Sequence, residues 1–347
     1  MNKKIIVFIR QNYPVALITA IEMLVAGLFG FLIIDFLDLP ESVWCVVTIA
    51  AVTQAGRDQT LIKSLMRIIG TIIGAFIGYF IALFAKGEPI IIITLIFATI
   101  FISSYIAVQP TIYSYAGIVA GMTITIVVFF SLNNENYFNI AVYRTYEVLL
   151  GIAILGTLNL LLYFLVKWFF PSSRSKAIIS WSLPQVKIKK QYAIPALKVA
   201  LSCVFTFLIW YHIQQPQGYW ATITCLLIME ENQSATLKKG LFRFFSHFIA
   251  AFIGLICALV LLHSPYVWRL VPLLITFFPC GFLIGSKNQY ASMGNTMAIA
   301  MAIMLLSSPN ANETIQIIFA RFYNVIIGLA VAFLMLFSWS RKESVIT

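Results

Sequence analysis

Long apolar stretches recur from Tyr13 to Ser340 with only short polar gaps between them, and no other feature of the chain narrows its possible folds so far. About 18 or more apolar residues in a helix fill the roughly 30 Å hydrocarbon layer of a bilayer. The stretches lack the in/out alternation of a lipid-facing barrel strand, so helices are the spans expected, each satisfying its own backbone hydrogen bonds. Spans are read near 14–37, 43–55, 68–85, 89–108, 113–131, 142–168, 195–212, 219–230, 241–262, 267–285, 289–307 and 317–340. With 61% hydrophobic and 10% charged residues and a mean hydropathy of +0.95, a water-soluble fold is excluded. The fold class expected is an all-α membrane protein of about twelve transmembrane helices. No stretch is left for a folded soluble domain, the longest polar connection being 171–194, a linker with a surface helix. The first span follows Lys3, Lys4 and Arg10, is too long for a signal-peptide core and lacks a cleavage pattern, so it is expected to stay in the mature protein.

A formal net charge of +11 raises nucleic acid as a partner, and the placement of the charges argues against it. With the N-terminus inside, 19 of the 23 Lys and Arg fall on cytoplasmic segments or their edges, leaving Lys86, Arg144, Arg269 and Arg321 opposite. This is the asymmetry that orients a membrane protein, so both termini are expected in the cytoplasm. Cys45, Cys203, Cys225, Cys257 and Cys280 all lie in apolar runs without C-x-x-C spacing and read as packing residues.

The chain also says one thing twice. Residues 56–78 read GRDQTLIKSLMRIIGTIIGAFIG and residues 232–254 read NQSATLKKGLFRFFSHFIAAFIG. A shift of 176 pairs Pro40 with Pro216, Trp44 with Trp220, Lys63 with Lys239 and Arg67 with Arg243; from Trp44 to Gly78, 12 of 35 positions are identical. A shift of 177 pairs Arg144, Tyr146 and Gly151 with Arg321, Tyr323 and Gly328. Shared apolar composition does not explain paired Trp, Lys and Arg at one offset, so the chain reads as two repeats, 1–170 and 195–347, joined by 171–194. Six spans each, an even number, makes the repeats parallel, related by a pseudo-two-fold along the membrane normal.

In each repeat the second span is short, Trp44 to Gly56 rising only about 20 Å as a helix. Paired short segments at corresponding positions point to a transport site, with the positive helix N-termini partway into the membrane. The next span carries small residues every fourth place, Gly70, Gly74 and Gly78 in one repeat and Ser246, Ala250 and Gly254 in the other. Such stripes allow close helix contact in lipid, here expected across the pseudo-axis.

With Trp44, Thr60, Lys63, Arg67, Gly70, Thr71, Gly74 and Gly78 as its signature, the chain resembles the fusaric acid resistance and aromatic acid exporter family of bacterial inner-membrane proteins, over both repeats. It departs at Ser246-His247, where the first repeat has Gly70-Thr71, and in the large cytoplasmic domains that many members carry, reduced here to 171–194. The resemblance implies export of small organic or aromatic anions.

Ionisable groups inside spans are costly and are functional candidates by default. Arg67 and Arg243 are placed at the inner edge and Arg144 and Arg321 near the outer edge, a pair of cations at each end of a central pathway, with snorkelling to headgroups as the plainer alternative. Glu147, one turn after Arg144, reads as its neutralising partner, with a proton-carrying role as the alternative. Glu22 aligns with Lys198, a possible pair across the axis, and Glu22 and Glu230 are the candidates for carrying a coupling proton. Trp44 and Trp220 are candidates for stacking on an aromatic substrate, against belt or core packing. His212, His247 and His263 have no metal-ligand spacing, and no phosphate loop or catalytic constellation is present. The reading is a non-enzymatic, cofactor-free, proton-coupled secondary transporter, whose partners are a small organic anion and the lipid bilayer. A passive anion channel, a non-transporting scaffold or biosynthetic partner, and assembly with a second copy or a periplasmic protein stay open.

Overall fold

The computed structural model describes residues 3–37, 43–85, 87–132, 136–169, 188–230, 232–308 and 310–338. Most of the expected 171–194 connection, and Asp38, Pro40, Glu41, Lys86, Glu135, Arg341 and Lys342, lie outside the described residues. The rest is helical. The helices are α1 (Lys3–Leu37), α2 (Val43–Val52), α3 (Arg57–Ala85), α4 (Pro89–Ala107), α5 (Ser114–Ser131), α6 (Tyr137–Phe169), α7 (Lys190–Ile213), α8 (Tyr219–Ile228), α9 (Gln233–Val260), α10 (Leu270–Gly285), α11 (Ala291–Leu306) and α12 (Ala311–Ser338), with a 3₁₀ turn at Tyr266–Arg269 leading into α10. Among the described residues, nine helices are long and apolar enough to cross a membrane, while α2, α8 and α11 are shorter.

Helices α3 and α9 begin at Arg57 and Gln233, two to three turns before the apolar runs that mark them in the sequence. Nothing in those turns breaks a helix, and at α9 the Asn232 Oδ1 accepts the Ser234 backbone N–H at 2.9 Å, a side-chain cap for an otherwise orphaned donor. The turn before each is held alike in the two halves: the backbone N–H of Gln54 donates to Thr60 Oγ1 at 3.1 Å and that of Glu230 to Thr236 Oγ1 at 3.0 Å.

Every residue of α2 is buried, as are all but one of α8. These two short helices therefore form the centre of the molecule, and the long helices surround them. Gly151 of α6 and Gly328 of α12 make that possible: a Cβ there would stand 2.6 Å from the Cys45 carbonyl oxygen and 2.5 Å from that of Ala221. Gly151 lies about 21 Å along α6 at 1.5 Å per residue, so α2 starts well down the length of its neighbour. Around this centre α1 lies along α10 and α7 along α4, while α2 touches α11 and α8 touches α5. Phe76, Ile102, Phe252 and Phe319 are exposed on the outside, an apolar surface suited to lipid.

The glycine stripe packs differently from the expectation. Gly70 and Gly74 meet the backbone of α5, where added Cβ atoms would lie 2.5 Å from Ala116 O and 2.6 Å from Ala120 O, and Gly78 meets Val127. The partner is a helix of the same repeat, not the other stripe across an axis. In the second repeat Ala250 replaces Gly74, its methyl fully buried, and at Gly254 a Cβ would find nothing nearer than 3.5 Å. One methyl on the stripe holds its helices further apart, and the packing there is looser.

Candidate functional site

The two halves meet through four stacked side chains. Trp44 at the start of α2 and Trp220 at the start of α8 lie ring on ring, centroids 5.7 Å apart and planes inclined by 30°. The Arg144 guanidinium sits 3.5 Å over the free face of Trp44, and that of Arg321 lies 3.6 Å over Trp220. None of the four is more than 4% exposed. An offset aromatic pair stabilises by about 0.5–1.5 kcal/mol beyond burial, and a desolvated cation–π contact by about 2 kcal/mol. These contacts offset part of the cost of holding two charged groups deep in an apolar protein, a cost of several kcal/mol per ion. Trp44 and Trp220 are 3% and 2% exposed, so neither indole is open to stack on a substrate in this arrangement.

Arg243 and Arg321 are not at opposite ends of a pathway. Arg243 donates from Nε to Thr224 Oγ1 at 3.2 Å, and Thr224 donates back to the Trp220 carbonyl at 2.8 Å, so both arginines are gathered around the first turn of α8. The two guanidiniums lie within electrostatic range of each other. His247, fully buried, lies within range of both and donates from Nδ1 to the Arg243 carbonyl at 2.9 Å. Snorkelling to headgroups is excluded for Arg67 and Arg243, which are 3% and 7% exposed.

The first repeat is built otherwise. Arg67 donates from Nη1 to the Tyr115 hydroxyl at 3.2 Å, with Lys63 5.1 Å from the centre of the same ring. Arg144 and Glu147 are both buried on one face of α6, one helical turn apart. In place of Glu147 the second repeat has Asn324, whose Nδ2 donates to Pro216 O at 2.9 Å and Ala320 O at 2.8 Å.

Three expected carriers of charge sit elsewhere. The charge facing buried Glu22 is Arg57, at the start of α3, and not Lys198. Glu230 forms an ion pair with Lys239, and at 35% side-chain exposure it is a surface group, not an embedded carboxyl. Lys198 is only partly buried on α7. A groove of about 300 Å³ in the first repeat, lined by Ile69, Gly70, Ile73, Ile102 and Tyr113, is almost wholly apolar; Ile73 and Ile102 are exposed beside it, so it faces outward and not between the halves. Among the described residues no group of three or more His, Cys, Asp and Glu is placed to hold a metal.

Two residues of consequence carried no signal of their own in the sequence. Asn295 of α11 donates from Nδ2 to Ala50 O at 2.7 Å and Ala51 O at 3.3 Å, satisfying the last turn of α2 from the other repeat. His247 read as ordinary polar packing, and only its place between two arginines sets it apart.

The family model described as fusaric acid resistance protein-like matches this chain twice, over residues 25–156 and 202–335. A search of curated proteins and one of solved structures find no match.

Proposed function

Because the chain belongs to the fusaric acid resistance protein-like family, we propose that it is a secondary transporter exporting small organic anions, of the aromatic carboxylate kind, across the bacterial inner membrane with protons as the coupling ion. The observation that carries this is the pair of buried arginines at the Trp44–Trp220 contact. A cation in low dielectric attracts an anion far more strongly than it would in water, and these cations lie where the repeats join. The arrangement in the membrane that goes with it is twelve spans in two parallel six-helix units, 1–170 and 195–347, with both termini cytoplasmic. The recurrence of helix pairings when six is added to both numbers, as in α2 with α6 and α8 with α12, supports a pseudo-two-fold along the membrane normal. Glu22, 6% exposed and facing Arg57, is the coupling group on this reading.

A passive anion channel is favoured by one observation, the exposed ion pair of Glu230, which removes one of the carboxyls expected to carry a coupling proton. Flux of radiolabelled benzoate in proteoliposomes separates the two. Uptake accelerated by an imposed pH gradient, and losing that acceleration in Glu22→Gln with downhill flux kept, is the expected result. Benzoate flux indifferent to the gradient makes the protein a channel, and absence of flux for any carboxylate makes it a scaffold.

A further inference from the structure

Resting on the anion-transport reading, we propose that the chain holds a single carboxylate, in its second half, at Arg321, Trp220 and Arg243, and that Glu147 closes the corresponding place in the first half to an anion. The second-half arginines lack a counter-charge: among the described residues no carboxylate interacts with Arg243 or Arg321. Cys225, within electrostatic range of Arg243, donates its S–H to Gly328 O at 3.3 Å and so is a thiol. Two guanidiniums buried side by side repel each other, and burying a charge without a partner is strongly unfavourable. An arrangement of this kind calls for an anion.

The hydrogen bonds point to the same place. Nε and Nη1 of Arg321 and Nε1 of Trp220 are buried donors without an acceptor, on two groups stacked 3.6 Å apart. Buried donors are nearly always paired in native structures, and a carboxylate at the edge of this stack accepts from both layers while lying against Arg243. A guanidinium fork matches the two oxygens of a carboxylate. In the first half the equivalent of Asn324 is Glu147, buried one turn from Arg144, so the chain supplies its own carboxylate there. The duplicated scaffold thus yields two places unlike in charge, a buried carboxyl standing one turn from the arginine of the first and an amide in the second.

The test is equilibrium binding of radiolabelled benzoate to the full chain in detergent. One benzoate per chain is expected, with affinity lowered at least tenfold by Arg321→Gln and by Asn324→Asp, which supplies the second half with the acid the first already has. Glu147→Gln is expected to raise the stoichiometry to two, and as a gain of binding it cannot come from misfolding. Two benzoates per wild-type chain, unchanged affinity in folded Arg321→Gln, or one per chain in Glu147→Gln would overturn the proposal. Binding of inorganic phosphate with none of benzoate would overturn the carboxylate. Benzoate that binds as stated yet is never transported refutes the transport reading and not the site; transport that survives Arg321→Gln with binding intact refutes the site and not the transport.

Discussion

Removing the Trp220 ring and the Arg321 charge, singly and together, tests whether the stack at the centre holds the halves to each other. Arg321 lies 3.6 Å over a Trp220 that is only 2% exposed, which puts the contact at the desolvated end of the cation–π range, about 2 kcal/mol. Trp220→Leu alone also removes the contact with Trp44 and leaves a cavity, together about 3–5 kcal/mol, so the single substitutions cannot isolate the pair. A double-mutant cycle with Arg321→Met does, because the cavity cancels. Unfolding in detergent titrated with SDS, followed by tryptophan fluorescence, should give a coupling of about 2 kcal/mol for Arg321 with Trp220 and a similar value for Arg144→Met with Trp44→Leu. Arg144 with Trp220, which meet only through Trp44, should couple less strongly than either contacting pair. Coupling indistinguishable from zero for Arg321 with Trp220 would mean that the two are neighbours by packing alone, and the account of why these cations are buried would fall.

Two other outcomes follow from the same geometry. Gly74→Ala should destabilise by about 1–3 kcal/mol, since its methyl meets the Ala120 carbonyl at 2.6 Å, whereas Gly254→Ala should be tolerated within about 0.5 kcal/mol in the same unfolding assay; equal costs would refute the packing difference between α3 and α9. Cysteines introduced at Ile188, 94% exposed, and at Asn310 should be labelled from opposite sides of the membrane by an impermeant thiol reagent, Ile188 from the cytoplasm, and labelling from one side would refute the parallel topology.

The duplication, the short second helices and the type of the interior cations were legible in the sequence because each rests on a residue that lipid selects against. A Trp, Arg or Lys repeated at one offset stands out from an apolar background. What could not be read is which face of a span meets which neighbour. When lipid and protein interior are equally apolar, hydropathy marks depth without marking direction. The stripe of Gly70, Gly74 and Gly78 announced a close contact yet not that α5 makes it. Counting residues gives Arg67 and Arg144 a depth and no partner, and it is the hydroxyl of Tyr115 and the indole of Trp44 that hold them within the protein. Glu230 was taken for an embedded group because α8 was read two residues too long; with the helix ending at Ile228 the carboxyl stands on the connecting turn, within reach of Lys239.

The positions at which the repeats differ have a common physical sense. Trp44 and Trp220, Thr48 and Thr224, Arg67 and Arg243, Arg144 and Arg321 are kept in both, and the two indoles with Arg144 and Arg321 make a stacked contact between the halves. Thr71 becomes His247, Gly74 becomes Ala250 and Glu147 becomes Asn324, and these lie on the helices that flank that contact. The last exchange removes a negative charge from beside a stacked arginine without disturbing the stack. In the first half, Arg144 with Glu147 can stay assembled whatever is bound elsewhere, a fixed support for Trp44. In the second, the repulsion between Arg243 and Arg321 is relieved only by what comes in from outside. A site whose cations repel each other when it is empty is relieved when an anion enters, so the repulsion adds to the attraction the anion finds there. A symmetric pair of arginines, each compensated from within the chain, would not have that preference for an anion.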